Sequence, residues 1–280
     1  MNKRWNSKDF KIGVLGGGQL GRMLIQEAID LDVHLHMIDS DPNAPCALIA
    51  HSFTHGSITN YDEVIEFGKD KDLITVEIEN VNIEALEALE QKGVKIFPQP
   101  RVLKIIKDKG VQKQFYADHN IPTAPFTLYD NANALKGADI SYPIIQKMRT
   151  GGYDGKGVQL LKTSSDSFDA PNLCESLIDF DKELSVIVAR NEDGDVQCFP
   201  SVECEFNPEA NLVEYLFSPA NISKEITQKA NSIAIDLIEK LDMIGLLAVE
   251  FFLCKNSDLL VNEIAPRPHN SGHHTIECCN

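Results

Sequence analysis

The sequence predicts an α/β fold at the front of the chain that gives way to an α+β region, and three observations carry that expectation. Short apolar strands alternate with helix-like segments from residue 11 to residue 97, the pattern of a parallel sheet covered by helices. A glycine-rich turn, Gly16-Gly17-Gly18-Gln19-Leu20-Gly21, sits between the first strand and the first helix. Far downstream, two apolar runs, 246–254 and 259–265, flank a short polar turn and read as an antiparallel hairpin.

The 280 residues can bury a substantial core and set a prior of two domains. Of these, 43% are hydrophobic and 24% charged, with 42 acidic against 26 basic residues and a net charge of −16. That charge disfavours nucleic acid or an anionic membrane as partner. A small anion remains possible, because local cations and helix N-termini outweigh a distant acidic surface. The start, MNKRWNSKDF, has no apolar core of a signal peptide, and no run approaches the ~20 apolar residues of a membrane span. A cytoplasmic protein is expected. Seven cysteines without a C-x-x-C pair fit reduced packing residues.

Taken in order, residues 11–15 form a strand, Met23, Leu24, Ala28 and Leu31 mark a helix, and Val33–Ile38 forms a second strand ending at Asp39. G-x-G-x-x-G with an acid about 20 residues on admits a dinucleotide site. The same glycines would let a helix N-terminus approach a phosphate of another ligand, and Gly21 would also permit close helix packing. Leu73–Ile78 and Val94–Phe97 are strands around a helix at Ile83–Gln91. Glu79 and Asn80 follow a strand end, where open α/β sheets bind ligands, and are substrate-site candidates; helix capping is the other role for Asn80. Pro98 and Pro100 mark a boundary near residue 100.

Residues 101–119 read as one helix whose lysines, Lys104, Lys107, Lys109 and Lys113, are mostly a solvated face. A strand at 143–148 then carries Lys147 into Arg149-Thr150-Gly151-Gly152-Tyr153-Asp154-Gly155-Lys156-Gly157. Such a loop offers backbone amides to phosphate oxygens, with Lys147 and Lys156 supplying charge. A flexible hairpin with incidental lysines is the other reading, and the missing G-K-[ST] ending excludes a Walker A loop. The stretches 173–178 and 182–188 offer apolar walls and acceptors that suit an adenine pocket, with Glu183 placed for ribose hydroxyls. Ile226, Ala230, Ile233, Ala234, Leu237, Ile238 and Leu241 recur at helical spacing and form a core stripe.

In the hairpin, a loop at Lys255–Asp258 pairs Cys254 with Leu259 and sets Glu250 opposite Glu263. Like charges so placed repel, which suggests a cation between them; oxygen ligands with open positions suit Mg²⁺ carried by a nucleotide. Glu263→Gln is then expected to relieve the repulsion and raise metal-free stability. A loop one residue longer would instead put the two acids on opposite faces, and both could simply line a solvated face.

Read together, GGGQLGRM at 16–23, PTAP at 122–125, KMRTGGYDGKG at 147–157, KELSV at 182–186 and NEIAPRPHNSGH at 262–273 form a signature. In register from residue 11 to 280, the chain resembles the N5-carboxyaminoimidazole ribonucleotide synthase family of ATP-grasp enzymes. The resemblance implies an ATP-grasp fold behind a Rossmann-like N-terminal domain. It divides the chain into residues 1–100, a lid domain with the glycine loop at 101–188, and an incomplete C-terminal domain at 189–280. It also implies that ATP, bicarbonate and aminoimidazole ribonucleotide give ADP, phosphate and N5-carboxyaminoimidazole ribonucleotide through carboxyphosphate, a step of purine synthesis.

By the same resemblance, ATP falls to Lys109, Lys147, Gly152, Tyr153, Asp154, Gly155, Lys156, Gly157, Glu175, Leu177, Ile178, Glu183, Asn262 and Glu263. Mg²⁺ falls to Glu250 and Glu263. Arg267 and His269 are the implied catalytic residues, orienting bicarbonate and the intermediate, and the substrate nucleotide falls to Tyr153, Asp154, Glu79 and Asn270. Phe206 departs from the pattern, standing where family members can carry a nucleotide-contacting histidine. The family also continues past the position of Asn280 into a region whose lysine and arginine grip the substrate phosphate, so the C-terminal domain is expected to be truncated. Two alternatives are a formate-dependent glycinamide ribonucleotide transformylase type of ligase and a non-catalytic nucleotide-binding module. A homodimer is the default assembly.

Overall fold

In the computed structural model, which describes residues 4–151, 157–207 and 212–278, the front of the chain is an all-parallel sheet. Its elements are β1 (Ile12–Leu15), α1 (Gln19–Asp30), β2 (Leu35–Asp39), β3 (Ser52–His55), α2 (Tyr61–Gly68), β4 (Leu73–Val76), α3 (Ile83–Gln91) and β5 (Lys95–Ile96). The strand order is β3-β2-β1-β4-β5. Val14 and Met37 pack toward Ile25 and Ala28 of α1, while Leu15, Ile38 and Val76 pack toward Val64, Leu86 and Leu89 on the other face. Burial on both faces is why these strands read as apolar runs. Asn60 and Asn82 start α2 and α3 by accepting the Glu63 and Ala85 amides. The capping residue of α3 is therefore Asn82, not Asn80.

Sheet order reverses at β1, and the crevice there holds the glycine turn. The chain's own acids close it. Asp39 Oδ2 accepts the Gly17 amide at 2.7 Å, and Glu77 Oε1 lies 3.4 Å from the Gly21 amide. Gly16 takes φ +106°, and a Cβ there would lie 2.7 Å from Glu77 Oε2. Carboxylates thus occupy the amides that a dinucleotide's pyrophosphate would need, and their charge repels it. The dinucleotide reading does not fit this crevice.

Where one helix was expected over 101–119, the structure has two, α4 (Pro100–Lys107) and α5 (Lys109–Asp118). The break is Asp108, which leaves helical geometry (φ −113°, ψ 109°) so that its side chain can accept the Gly110 and Val111 amides and cap α5. Leu103 of α4 belongs to the front core, whereas Val102 and Ile106 belong to the rear one. This helix therefore joins the two cores.

A second, antiparallel sheet follows, made of β6 (Phe126–Tyr129), β7 (Ile144–Met148), β8 (Val158–Leu161) and β9 (Asn172–Ser176) in the order β6-β9-β7-β8; α6 (Ala132–Lys136) lies between β6 and β7 in sequence. The rear sheet comprises β10 (Phe180–Arg190), β11 (Val196–Cys198), β12 (Val202–Asn207), β13 (Leu212–Phe217), β14 (Gly245–Cys254) and β15 (Leu259–Ala265). Its order is β13-β12-β10-β14-β15, with β11 on β10. Helix α7 (Lys224–Lys240) lays the expected stripe, including Ala230, Ala234, Leu237 and Ile238, against Leu184, Val186, Val249 and Phe251. Helix α8 (His274–Cys278) ends the described chain. The expected division at residue 188 falls inside β10, because Leu184, Val186 and Val188 all enter one core. The change of sheet comes earlier, between Ser176 and Phe180. Among the described residues no helix is long and apolar enough to cross a membrane.

Candidate active site

The hairpin of β14 and β15 organises the site, and its register is less simple than the spacing suggests. Leu253 pairs with Leu259, so the turn is one residue longer than Lys255–Asp258. A longer turn alone would have separated the two acids. Instead the register shifts between Glu250 and Phe251, leaving Asn262 as an extra residue on β15, and Glu250 again faces Glu263. The bulge also breaks the alternation of faces: Val261 and Ile264 both enter the rear core, so the two residues between them, Asn262 and Glu263, are displayed together on the opposite face.

Lysines from the two preceding segments meet that face. Lys109, at the start of α5, contacts Glu263 Oε2 at 2.7 Å, and Lys147, on β7, donates to Asn262 Oδ1 at 3.0 Å. Lys147 also contacts Glu175 Oε2 at 2.7 Å, and Lys113 contacts Glu175 Oε1 at 2.5 Å. Burial pushes the Glu175 carboxyl up, but Lys147 and Lys113 outweigh it and hold it below the usual carboxylate range. Lys113 was expected on a solvated face and is buried instead. The helix break at Asp108 turns α5 so that this lysine points at β9. Asp108 also grips Arg149 with both oxygens, at 2.9 and 2.7 Å, at the root of the glycine loop. Gly110 leaves room for this, since a Cβ there would lie 2.6 Å from Arg149 Nε.

The two facing acids differ in charge state. Lys109 draws Glu263 well below the usual range. Burial, then the charge of Glu263, pushes Glu250 well above it. A protonated or strained carboxyl beside an ionised one is what a cation would relieve, and two carboxylates with an amide oxygen leave positions open for phosphate oxygens and water, as Mg²⁺ requires. The residues fit that ion. Among the described residues no cluster of three His, Cys, Asp or Glu is poised to hold a metal without such help.

Beyond the acids, Arg267 Nε contacts Glu79 Oε1 at 2.7 Å, which joins the end of the front sheet to the turn after β15. His269 Nδ1 lies 3.5 Å from Glu250 Oε1 and 2.9 Å from Ser271 Oγ, and Ser271 in turn receives Ser185 Oγ at 2.8 Å. Burial and then Arg267 lower the His269 pKa to about 4, so the imidazole is neutral at pH 7. Its Nδ1 accepts the Ser271 amide, which assigns the proton to Nε2. Glu183, on the same face of the rear sheet, is pushed by burial to about 7 despite Lys147. Asn270 is exposed, with its carbonyl taken by the His273 amide.

Leu177 and Ile178 line a shallow cavity of about 380 Å³ with Cys254, Asn256 and Leu260, beside the stacked rings of Phe180 and Phe252, 4.6 Å apart. Gly157 (φ +75°) closes the loop root by accepting the Met148 amide at 2.7 Å. Gly152, Tyr153, Asp154, Gly155 and Lys156 lie outside the described residues, as does the side chain of Phe206. Lys113, Asp108, Arg149 and Thr123 belong to the site's framework without having been singled out. For Thr123 the PTAP motif was the available signal: its hydroxyl donates to the Val261 carbonyl at 2.7 Å.

Comparison with known proteins bears on the fold and the family. Residues 10–107 match the ribonucleotide synthetase preATP-grasp domain and residues 114–280 the ATP-grasp domain. The chain is 37% identical over 277 residues to phosphoribosylaminoimidazole carboxylase, chloroplastic, of Vigna aconitifolia, covering 96% of this chain and 49% of that protein. It is 34% identical over 278 residues to N5-carboxyaminoimidazole ribonucleotide synthase of Bacillus subtilis, covering 96% and 72%. The crystal structure of the Aspergillus clavatus carboxyaminoimidazole ribonucleotide synthase complexed with ATP superposes with a TM-score of 0.90 at 34% identity, covering 98% and 74%. The same fungal enzyme with ADP and 5-aminoimidazole ribonucleotide superposes at 0.86 and 33% identity, covering 98% and 73%. The chain spans about half the length of several of the curated relatives it matches. By sequence and by fold, the chain belongs to the N5-carboxyaminoimidazole ribonucleotide synthase family of ATP-grasp proteins.

Proposed function

We propose that the chain carries out ATP- and bicarbonate-dependent carboxylation of 5-aminoimidazole ribonucleotide to the N5-carboxyamino compound, releasing ADP and phosphate. The observation that supports this best is the convergence of three sheets on one face. Lys109 and Lys147 stand beside Glu263 and Asn262, and Arg267 and His269 stand between Glu250 and Glu79, in the loop that follows the front-sheet strand β4.

Lys109 and Lys147 would hold the nucleotide phosphates, Glu183 its ribose, and Leu177, Ile178 and the Phe180–Phe252 wall its base. Glu250 and Glu263 would hold Mg²⁺, which when bound neutralises phosphate charge. A bicarbonate oxygen then attacks the γ-phosphorus and ADP leaves, giving carboxyphosphate. Arg267, a planar donor, and the Nε2–H of neutral His269 would orient bicarbonate and then this intermediate. The exocyclic amine attacks the carboxyl carbon, the C–O bond to phosphate breaks, and the amine gives up a proton. Glu79 would contact the ribonucleotide across the front-sheet crevice, as would Tyr153 and Asp154 of the glycine loop and the exposed Asn270. A domain division near residue 100, supported by the two family matches on either side of it, a homodimer and a cytoplasmic setting belong to the same proposal.

Measurement of ADP release tests the proposal. It should require Mg²⁺, bicarbonate and aminoimidazole ribonucleotide together. Release with formate and glycinamide ribonucleotide instead would move the chain to the transformylase type, and release without any ribonucleotide would remove the proposal.

A further inference from the structure

Lys113 is a buried cation that the chemistry above leaves without a task. Its side chain is 3% exposed, and its ammonium contacts Glu175 Oε1 at 2.5 Å and hydrogen-bonds Thr123 Oγ1. Glu175 is itself 4% exposed, and its other oxygen contacts Lys147 at 2.7 Å. Two ammoniums therefore share one carboxylate, which leaves one net positive charge in the cluster. The surroundings decide which lysine expresses it. Lys113 is enclosed, and its further partner is a neutral hydroxyl. Lys147 reaches out to Asn262 on the face that also carries Glu263.

We propose that Lys113 is a positioning residue for nucleotide phosphate: it engages Glu175 so that the charge of Lys147 stays available to phosphate oxygens instead of being cancelled by a buried carboxylate. The inference rests on the nucleotide reading given above. Without Lys113, Glu175 and Lys147 form a one-to-one buried pair, and phosphate can recruit Lys147 only by leaving a buried carboxylate with no counter-ion. Burial lowers the Lys113 pKa, to about 8, yet the charge of Glu175 keeps it a cation at neutral pH. A second contact serves the same end. Thr123, which Lys113 engages, donates to the Val261 carbonyl, while the Val261 amide donates to the Pro122 carbonyl at 2.7 Å. Val261 immediately precedes the bulge residue Asn262. Lys113 thus ties the strand of Glu175 to the segment that aims the acceptor of Lys147, which gives the PTAP motif a physical role.

Calorimetric titration of the wild type and Lys113→Met with ATP, ADP and adenosine tests this. Affinity for ATP and ADP should fall about tenfold, adenosine affinity should not change, and Lys113→Met/Glu175→Gln should bind ATP about threefold or more tighter than Lys113→Met. Equal loss for all three ligands would mean a purely structural lysine and overturn the inference. So would an unchanged ATP affinity, or a double variant no better than the single one. A wild type that binds no ATP would overturn the nucleotide reading and this inference together, whereas the preceding outcomes overturn the inference alone. Should Lys113→Met not fold, Lys113→Gln, which keeps a donor for Thr123 without the charge, carries the same comparison.

Discussion

Glu250 faces Glu263 across the hairpin, yet Lys109 contacts only Glu263. The repulsion between the two acids is therefore stored on Glu250. Spacing alone nominates Glu263→Gln as the change that relieves it, but that substitution leaves the half-buried Lys109 without its carboxylate. Glu250→Gln should raise the metal-free melting temperature by about 2 °C or more, and Glu263→Gln should lower it. Either variant should cut turnover on the order of a hundredfold or more, as loss of a charged group at a phosphoryl-transfer site does. Scanning calorimetry and steady-state kinetics on the same samples check both statements.

Glu183 contributes a separable part of the pH dependence of metal-free stability. Its folded pKa is raised to about 7, by burial first and with Glu263 adding to it against Lys147. A raised folded pKa means that the native state binds more protons than the unfolded chain. The contribution is therefore fully present below the ordinary value of 4.5 and is lost as pH rises through about 7. Relative to wild type, Glu183→Gln should melt at a similar temperature at pH 5 and at a higher one at pH 8. A wild type more stable than the variant at pH 8 would contradict the assignment.

Arg267 and Glu79 join the rear turn to the front sheet at 2.7 Å. Arg267→Lys keeps the charge but loses the planar fork that can hold a carboxylate-like substrate. Turnover should fall on the order of a hundredfold while ATP affinity stays within about twofold. A parallel loss of ATP affinity, measured by calorimetry, would place Arg267 on the nucleotide instead.

Much of this was legible in the sequence. The alternating strands and the α7 stripe follow from local pattern, because burial on one or both faces writes itself into the order of residues. The break at Asp108 was not legible: its capping of α5 is local, but its hold on Arg149, which fixes where that helix starts, joins residues far apart in sequence. Burial of Lys113 followed from that break and was missed with it. The strand β3, with sequence Ser-Phe-Thr-His, lies on the sheet edge and is mostly exposed, so it carries no apolar signal. The hairpin register came out right although the turn was read one residue short, because a longer turn and a bulge offset each other.

That offset can be tested. Deleting Asn262 leaves Val261, Glu263 and Ile264 in plain alternation, with the facing acids still opposed, so the variant should fold. It removes the acceptor of Lys147, and ATP affinity should fall about fivefold or more. A variant that fails to fold would show that the bulge is needed for the hairpin itself, and one with unchanged affinity would show that Asn262 does not serve the site.

The most direct measurement of the central claim follows oxygen. With ¹⁸O-labelled bicarbonate, Mg-ATP and aminoimidazole ribonucleotide, attack of a bicarbonate oxygen on the γ-phosphorus and later C–O cleavage must leave one labelled oxygen in the released phosphate. Mass spectrometry should find that label in phosphate formed together with ADP. Phosphate that takes its new oxygen from water instead would show simple ATP hydrolysis and contradict the carboxylating reaction.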